Sequence, residues 1–263
     1  MQSLNAFSQR LACLGAIVAI CLISPPATAF DESVEQRIDK VVSIFENGTP
    51  TIQYSYISAL GDGRGYTAGR AGFTTATGDL VTVLKRYATK RPVTPEWPEL
   101  ELLIPTLQRL ADQQSSDISL LTRLPFLWRK SAEDPKFRAS QNEINDSLYR
   151  NPARETCRRL KLPSALSLLV IYDSIVQHGD GDDEDGLKAL IRRSGPASNE
   201  RTFITSFLHV RRADLLNPSN PGTTVEWRDS VGRVDALEEL VTAGHWALET
   251  PFILNVWNSH FSL

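Results

Sequence analysis

Apolar residues in this chain recur mostly at three- and four-residue intervals, the spacing that aligns them on one face of an α-helix. In "DESVEQRIDKVVSIFEN", residues 31–47, Val34, Ile38, Val41, Val42 and Phe45 share a side, and Ser33 with Gln36 has the spacing of a capping box. Similar stripes run through "GDLVTVLKRYATK", "PELELLIPTLQRLADQ", "DPKFRASQNEINDSLYR", "SALSLLVIYDSIVQHG", "DGLKALIRRSG", "NERTFITSFLHVRRADLLN" and "VGRVDALEELVTAG". The pattern predicts a mainly α protein. The exception lies between Thr49 and Thr77, where Tyr54, Tyr56 and closely spaced glycines predict short strands and tight turns. That stretch is expected to form a small β-containing lobe. Its modest apolar content requires it to lean on the helical mass, leaving a cleft between lobes, a common place for ligands.

The N-terminus has a different character. "MQSLNAFSQRLACLGAIVAICLISPPATAF" carries one charge, Arg10, then an apolar run from Leu11 to Ile23, two prolines, and a small-x-small pattern ending at Ala29. This is the layout of a cleaved secretory leader over residues 1–29, and the apolar run is too short to span a bilayer. A mature domain of residues 30–263 follows, expected in the periplasm or outside the cell. It retains Cys157 as its sole cysteine, so no intramolecular disulfide is open to it. "ARETCRRLKL" reads as an amphipathic helix, which makes that thiol structural. With 41% hydrophobic residues over its full length the chain has material for a full core. Losing Arg10 takes the net charge from −3 to −4, which argues against nucleic acid as a partner and suits a polycation better.

Most chemical signatures are absent. "GRGYTA" fits a dinucleotide fingerprint only if its last position is alanine, and no suitable strand, helix and ribose-binding acid surround it. No phosphate-binding Walker loop, HExxH, G-x-S-x-G or Cys/His cluster occurs, so neither a metal nor an organic cofactor is expected. The acidic run "HGDGDDEDG" is not a calcium loop: counting from Asp180 puts Asp185 where the obligatory glycine belongs and Ile191 at the closing glutamate. It reads as a solvated loop leading into a helix, with an acidic cleft rim as the alternative.

Two carboxylates remain. Glu46 ends the first helical stripe, where the negative helix end and apolar neighbours disfavour ionisation, as suits a general acid. Asp62 lies in "GDGRG", where backbone N–H groups and Arg64 favour the ionised form that a base needs. Environments that push two carboxyl groups apart are the pattern of glycoside hydrolysis. From spacing alone, a helix-end glutamate and a turn aspartate read equally well as structure.

The segment as a whole is more specific. "IFEN" and "QYSYISALGDGRGYTAGRAGF", followed by "TGD", closely resemble the signature of the glycoside hydrolase family 46 chitosanases, and "YDSIVQHG", "FLHVRR" and "GRVD" resemble that family's later landmarks in order. The resemblance implies a two-lobed, lysozyme-like α+β fold and a monomeric enzyme that cleaves β-1,4 links inside chitosan with inversion. By this match Glu46 is the general acid, Asp62 the base, and Thr67 a holder of the attacking water. Arg64 biases the carboxylates, Asp79 faces a glucosamine ammonium, and Asp173, Arg211 and Arg233 form a buried charge network behind the acid. Asp79 also reads as a residue near a helix N-cap, and the two roles are compatible. Tyr56 and His178 match cleft positions but read as well as a packed aromatic and a core histidine. The connection from Glu46 to Asp62 is slightly shorter than in the best-known members, which bears on the first loop. Two other readings stay open: hydrolysis of another amino-sugar polymer, peptidoglycan or chitin, and a non-catalytic binder of cationic glycan.

Overall fold

Helix α1, Glu32–Asn47, begins where the Asp31 carboxylate accepts a bond from the Ser33 amide at 2.9 Å. Asp31, rather than Ser33, is therefore the cap, and Gln36 donates instead to Glu32 one turn away. The helix ends at Gly48, whose φ of +67° lets its N–H close onto the Ile44 carbonyl at 2.8 Å. This stop places Glu46 on the last turn. The computed structural model describes residues 30–219, 224–249 and 251–263; the leader expected at residues 1–29 lies outside them.

After α1 come three short strands, β1 (Ile57–Ala59), β2 (Tyr66–Ala68) and β3 (Phe73–Thr74), in one antiparallel sheet ordered β1-β2-β3. Register pairs Thr67 with Ser58 on one side and Thr74 on the other. Tyr54 and Tyr56 precede the first strand rather than forming it. Helices α2 (Asp79–Thr89), α3 (Trp97–Leu102), α4 (Ile104–Asp112), α5 (Leu124–Ser131) and α6 (Pro135–Asn145) complete this lobe. The single stripe expected over residues 98–113 is two helices, because Pro105 fits only the first turn of a new one. Ile57, Phe73, Leu80, Leu84, Trp128 and Phe137 belong to one buried cluster, with the Trp128 and Phe137 rings edge to face at 4.8 Å. Gly69, at φ +71°, sits so close to Gln141 and Trp128 that a Cβ would fall 2.4 Å and 2.9 Å from their side-chain atoms. Only glycine fits there.

A wider π turn, Asp146–Arg150, continues α6 directly into α7, Asn151–Leu160. One unbroken rod over residues 135–160 thus leaves the first core at Phe137 and enters the second at Ala153 and Cys157. The second lobe adds α8 (Ala165–His178), α9 (Leu187–Arg193), α10 (Glu200–Leu216), α11 (Thr224–Asp229), α12 (Val231–Ala243) and a hairpin of β4 (Ile253–Val256) and β5 (Ser259–Ser262). Helix α8 is buried nearly all round, with α1, α7, α9, α10 and α12 packed on it. Cys157 is part of this core, and burial pushes its thiol up to about 12, so it stays protonated and inert. Among the described residues no helix is long and apolar enough to cross a membrane.

Charge as well as carbon joins the lobes. Arg70, in the turn between β2 and β3, reaches Asp39 of α1 at 2.7 Å and Asn142 of α6 at 2.5 Å. Arg150 of the π turn also grips Asp39, and reaches Glu35 at 3.1 Å; Arg154 holds Glu35 at 2.6 Å. Both Arg70 and Arg150 are buried, so losing a partner would strand desolvated charge. Asp39→Ala deprives both guanidiniums at once and is expected to lower unfolding free energy by about 3–5 kcal/mol. Glu143→Ala, which removes an exposed partner of Arg86 and Lys90, is expected to cost about 1 kcal/mol or less in the same urea titration.

Candidate active site

Between the lobes runs a cleft of about 550 Å³. The large lobe contributes Glu46 and Asn47 from the end of α1 and Ile175, Val176, Gly179 and Asp180 from α8 and the loop after it. The small lobe contributes Tyr56, Leu60, Arg64, Thr67, Thr74, Thr77 and Asp79, and the π turn closes one wall with Leu148 and Tyr149. A more apolar cavity of about 360 Å³, lined in part by Phe30, Cys157 and Leu168, shares no residue with it.

Glu46 is half-buried and turned toward a guanidinium. Its Oε1 accepts two bonds from Arg233, at 3.1 Å and 3.0 Å, while among the described residues none falls on Oε2. The expectation of a mainly apolar surround for this carboxyl is therefore corrected: its immediate neighbour is a buried cation. Arg233 in turn donates to Asp173 at 3.1 Å and to the Phe45 carbonyl at 2.9 Å. Asp173, in the middle of α8, also lies 2.7 Å from Arg211 Nη1, as an ion pair without hydrogen-bond alignment. Burial pulls Arg233 down, but Asp173 and Glu46 outweigh it and leave its pKa raised. Arg211, wholly buried, is pulled down by burial against the pull of Asp173, yet a guanidinium stays charged. Glu46, Arg233, Asp173 and Arg211 alternate carboxyl and guanidinium groups, so each buried guanidinium faces at least one carboxyl partner.

His178 is corrected from a cleft residue to a core histidine. Its side chain is fully buried, absent from the cleft wall, and packed edge-on to Trp227 at 4.8 Å. Arg211 Nε donates to its Nε2 at 3.2 Å, which fixes the proton on Nδ1, facing the Asp185 carbonyl at 2.9 Å. Burial and the Arg211 charge hold the ring well below the usual histidine range, so it is neutral. It anchors the inner end of the charge network.

Asp62 lies on the loop whose Leu60 and Arg64 line the cleft. Its Oδ1 accepts from the Arg64 amide at 3.0 Å, and its Oδ2 from Arg64 Nε at 2.9 Å and Nη2 at 2.6 Å. Partial burial works to raise this carboxyl, but the bonds and charge of Arg64 prevail and hold it below the usual carboxylate range. The loop can curl this tightly because Gly61, Gly63 and Gly65 all have positive φ. At Gly65 a Cβ would also strike Thr75 Oγ1 at 2.1 Å. Thr67, central in the sheet, lines the cleft, and its buried Oγ1 has no hydrogen-bond partner among the described residues.

Asp79 occupies the first turn of α2 and the cleft wall together. Its Oδ1 takes bonds from Thr74 N at 2.6 Å, Thr77 Oγ1 at 2.7 Å and Leu80 N at 2.9 Å. Burial outweighs these bonds and raises its pKa. Tyr56 is exposed on the cleft rather than packed in a core. Tyr149 is a cleft residue that sequence reasoning missed; burial, with the charges of Asp79 and Glu46 nearby, pushes its phenol up and keeps it neutral. The acidic run after α8 divides its duties: Asp180 lines the cleft, Asp182 pairs with Arg192, and buried Asp185 accepts from Ser219. Among the described residues no three His, Cys, Asp or Glu side chains converge as metal ligands.

Known proteins resemble this chain over most of its length. The family model described as Glycosyl hydrolase family 46 matches residues 40–252. The chitosanase of Bacillus subtilis strain 168 is 42% identical over 233 residues, 86% of this chain and 83% of that one. The native chitosanase of Bacillus subtilis MY002 superposes with a TM-score of 0.81 at 40% identity, covering 89% of this chain and 100% of the other. The chitosanase of Gynuella sunshinyii in complex with chitotetraose superposes with a TM-score of 0.80 at 40% identity, over 89% and 99% of the two chains. The match spans both lobes and the cleft between them, and the chain belongs to glycosyl hydrolase family 46.

Proposed function

We propose that this chain hydrolyses β-1,4 bonds inside chitosan by single displacement, with Glu46 as acid and Asp62 as base. The observation that carries the reading is one cleft lined by Glu46 of the large lobe, whose Oε2 has no partner among the described residues, and by Arg64 of the small lobe, which holds Asp62 beside it. Its relatives named chitosanase, one of them bound to chitotetraose, support the substrate. Glu46 Oε2 gives its proton to the glycosidic oxygen as the bond to the anomeric carbon breaks. Water attacks that carbon from the opposite face, passing its proton to Asp62, and the Thr67 hydroxyl, which has no partner among the described residues, orients it. No metal or organic cofactor enters this scheme.

Asp79 gives selectivity for the deacetylated sugar. A desolvated carboxylate with its Oδ1 already satisfied gains most from an ammonium ion, and an acetamide offers no such charge. Peptidoglycan and chitin, which are acetylated, are disfavoured on the same ground. Tyr56 and Tyr149 supply flanking surface for the sugar rings. Residues 1–29 are read as an export leader and the mature chain as a monomer acting in the periplasm or medium; N-terminal sequencing of exported protein should begin at Phe30.

Three substitutions, together with product stereochemistry, test the assignment of roles. Glu46→Gln should lower kcat on a glucosamine hexamer by about 10³-fold while retaining affinity, and α-configured first product from wild type should appear by NMR. Because Arg64 holds Asp62 low, the acid limb of kcat/KM should move to higher pH in Arg64→Met, as the base then protonates earlier; an unmoved limb excludes Asp62 as the base. Asp79→Asn should raise KM for chitosan far more than for acetylated oligomers. Its pKa is raised, so ionised Asp79 opposes folding at neutral pH, and the same substitution should leave Tm unchanged or higher.

A further inference from the structure

The C-terminal hairpin lies outside the cleft, yet its turn touches the residues beside both partners of the Glu46–Arg233 pair. Trp257 and Asn258 form its two-residue loop, with φ of +46° and +60°. Such a loop requires left-handed backbone at both positions, which Asn and Gly accept readily and a bulky aromatic does not. The Trp257 ring meets Phe45 edge to face at 6.4 Å, and its Nε1 donates to the Asp229 carbonyl at 3.0 Å. The indole also abuts Gly232, in the first turn of α12, where a Cβ would fall 2.7 Å from the indole nitrogen. Gly232 has no positive φ, so its lack of a side chain makes room and does not serve conformation. Two locally unfavourable choices, a tryptophan in a left-handed turn and a glycine in a helix, therefore meet in one contact.

That contact sits against the acid. Phe45 precedes Glu46, and Gly232 precedes Arg233; the Arg233 guanidinium lies 5.5 Å from the Phe45 ring centre and bonds both the Phe45 carbonyl and Glu46. We propose that Trp257 is a positioning residue, a wedge between Phe45 and the backbone of Gly232 that sets where Arg233 holds Glu46. The inference rests on Glu46 being the acid. It assigns a role in turnover to a hairpin that touches no substrate.

The test is a double-mutant cycle between Trp257→Ala and Gly232→Ala, read as kcat and KM on a glucosamine hexamer, with thermal unfolding as the folding control. Trp257→Ala is expected to lower kcat by about tenfold or more, with KM changed less than about twofold, because misplacement of a reacting group acts on the chemical step. Gly232→Ala should cost kcat similarly in the presence of the indole and nothing further in the Trp257→Ala background, where the methyl enters vacated space. Trp257→Phe keeps a ring against Phe45 and loses the bond to Asp229, so it should lie between the two in kcat with near-native Tm. An unchanged kcat in Trp257→Ala, or an equal cost of Gly232→Ala in both backgrounds, overturns the wedge. Glu46→Gln run in parallel separates the two readings: full activity there overturns the acid assignment, whereas loss there with normal turnover in Trp257→Ala overturns the wedge alone.

Discussion

The site depends on a guanidinium that has left water. Arg233 is buried between Glu46 at the cleft and Asp173 in the core, and neither carboxylate alone would compensate its desolvation. Asp173 is in turn shared with Arg211, and Arg211 with neutral His178. Each member is needed because the next is needed. This couples Glu46 to the centre of the large lobe, so a change there acts on stability and on the position of that carboxyl together. The same coupling explains why α8 can carry an aspartate among leucines and valines without breaking the core.

The small lobe solves the opposite problem. Its loop over residues 60–65 keeps Asp62 ionised with local bonds from one exposed arginine, and no buried partner is involved. The two carboxyls therefore differ in how they are held: one by a network reaching across the large lobe, the other by its own turn. Asp79 is the third case, a partly buried carboxyl on the cleft wall whose Oδ1 is satisfied by three donors. Three environments for three acids follow from where each chain segment lies relative to the cores.

Much of this was legible in the sequence. The 3.6-residue stripes located most of the helices, and the glycine-dense stretch located the strands, because both patterns are dictated by burial on one face. Glu46, Thr67 and Asp79, which line the cleft, and Asp62 beside Arg64 were singled out through the motif that surrounds them, not through spacing. Helices α5 and α11 were missed: α5 is short, and Pro125 and Trp128 obscure its stripe. The terminal hairpin was missed as well, although "ILNV" and "SHFS" flank a two-residue turn, because its first turn position is Trp257 where Asn or Gly marks such loops. Arg70, Arg150 and Asp39 carry no local signature, since their partners lie far away in sequence. His178 was ambiguous for the same reason: only the fold reveals that Arg211 faces its ring.

The rod over residues 135–160 has one wide turn, which takes up one residue more than an α-helix would over the same sweep. Deleting a single residue from Asp146–Arg150 would restore regular α-helix with α7 near its present azimuth, but the turn itself would lose a side chain and its remaining ones would shift. Tyr149 would swing off the groove or Arg150 off Asp39, because one geometry serves both. Length at this point of the chain is thus tied to what those two side chains hold: a turn one residue shorter cannot keep both the groove wall and the grip on Asp39.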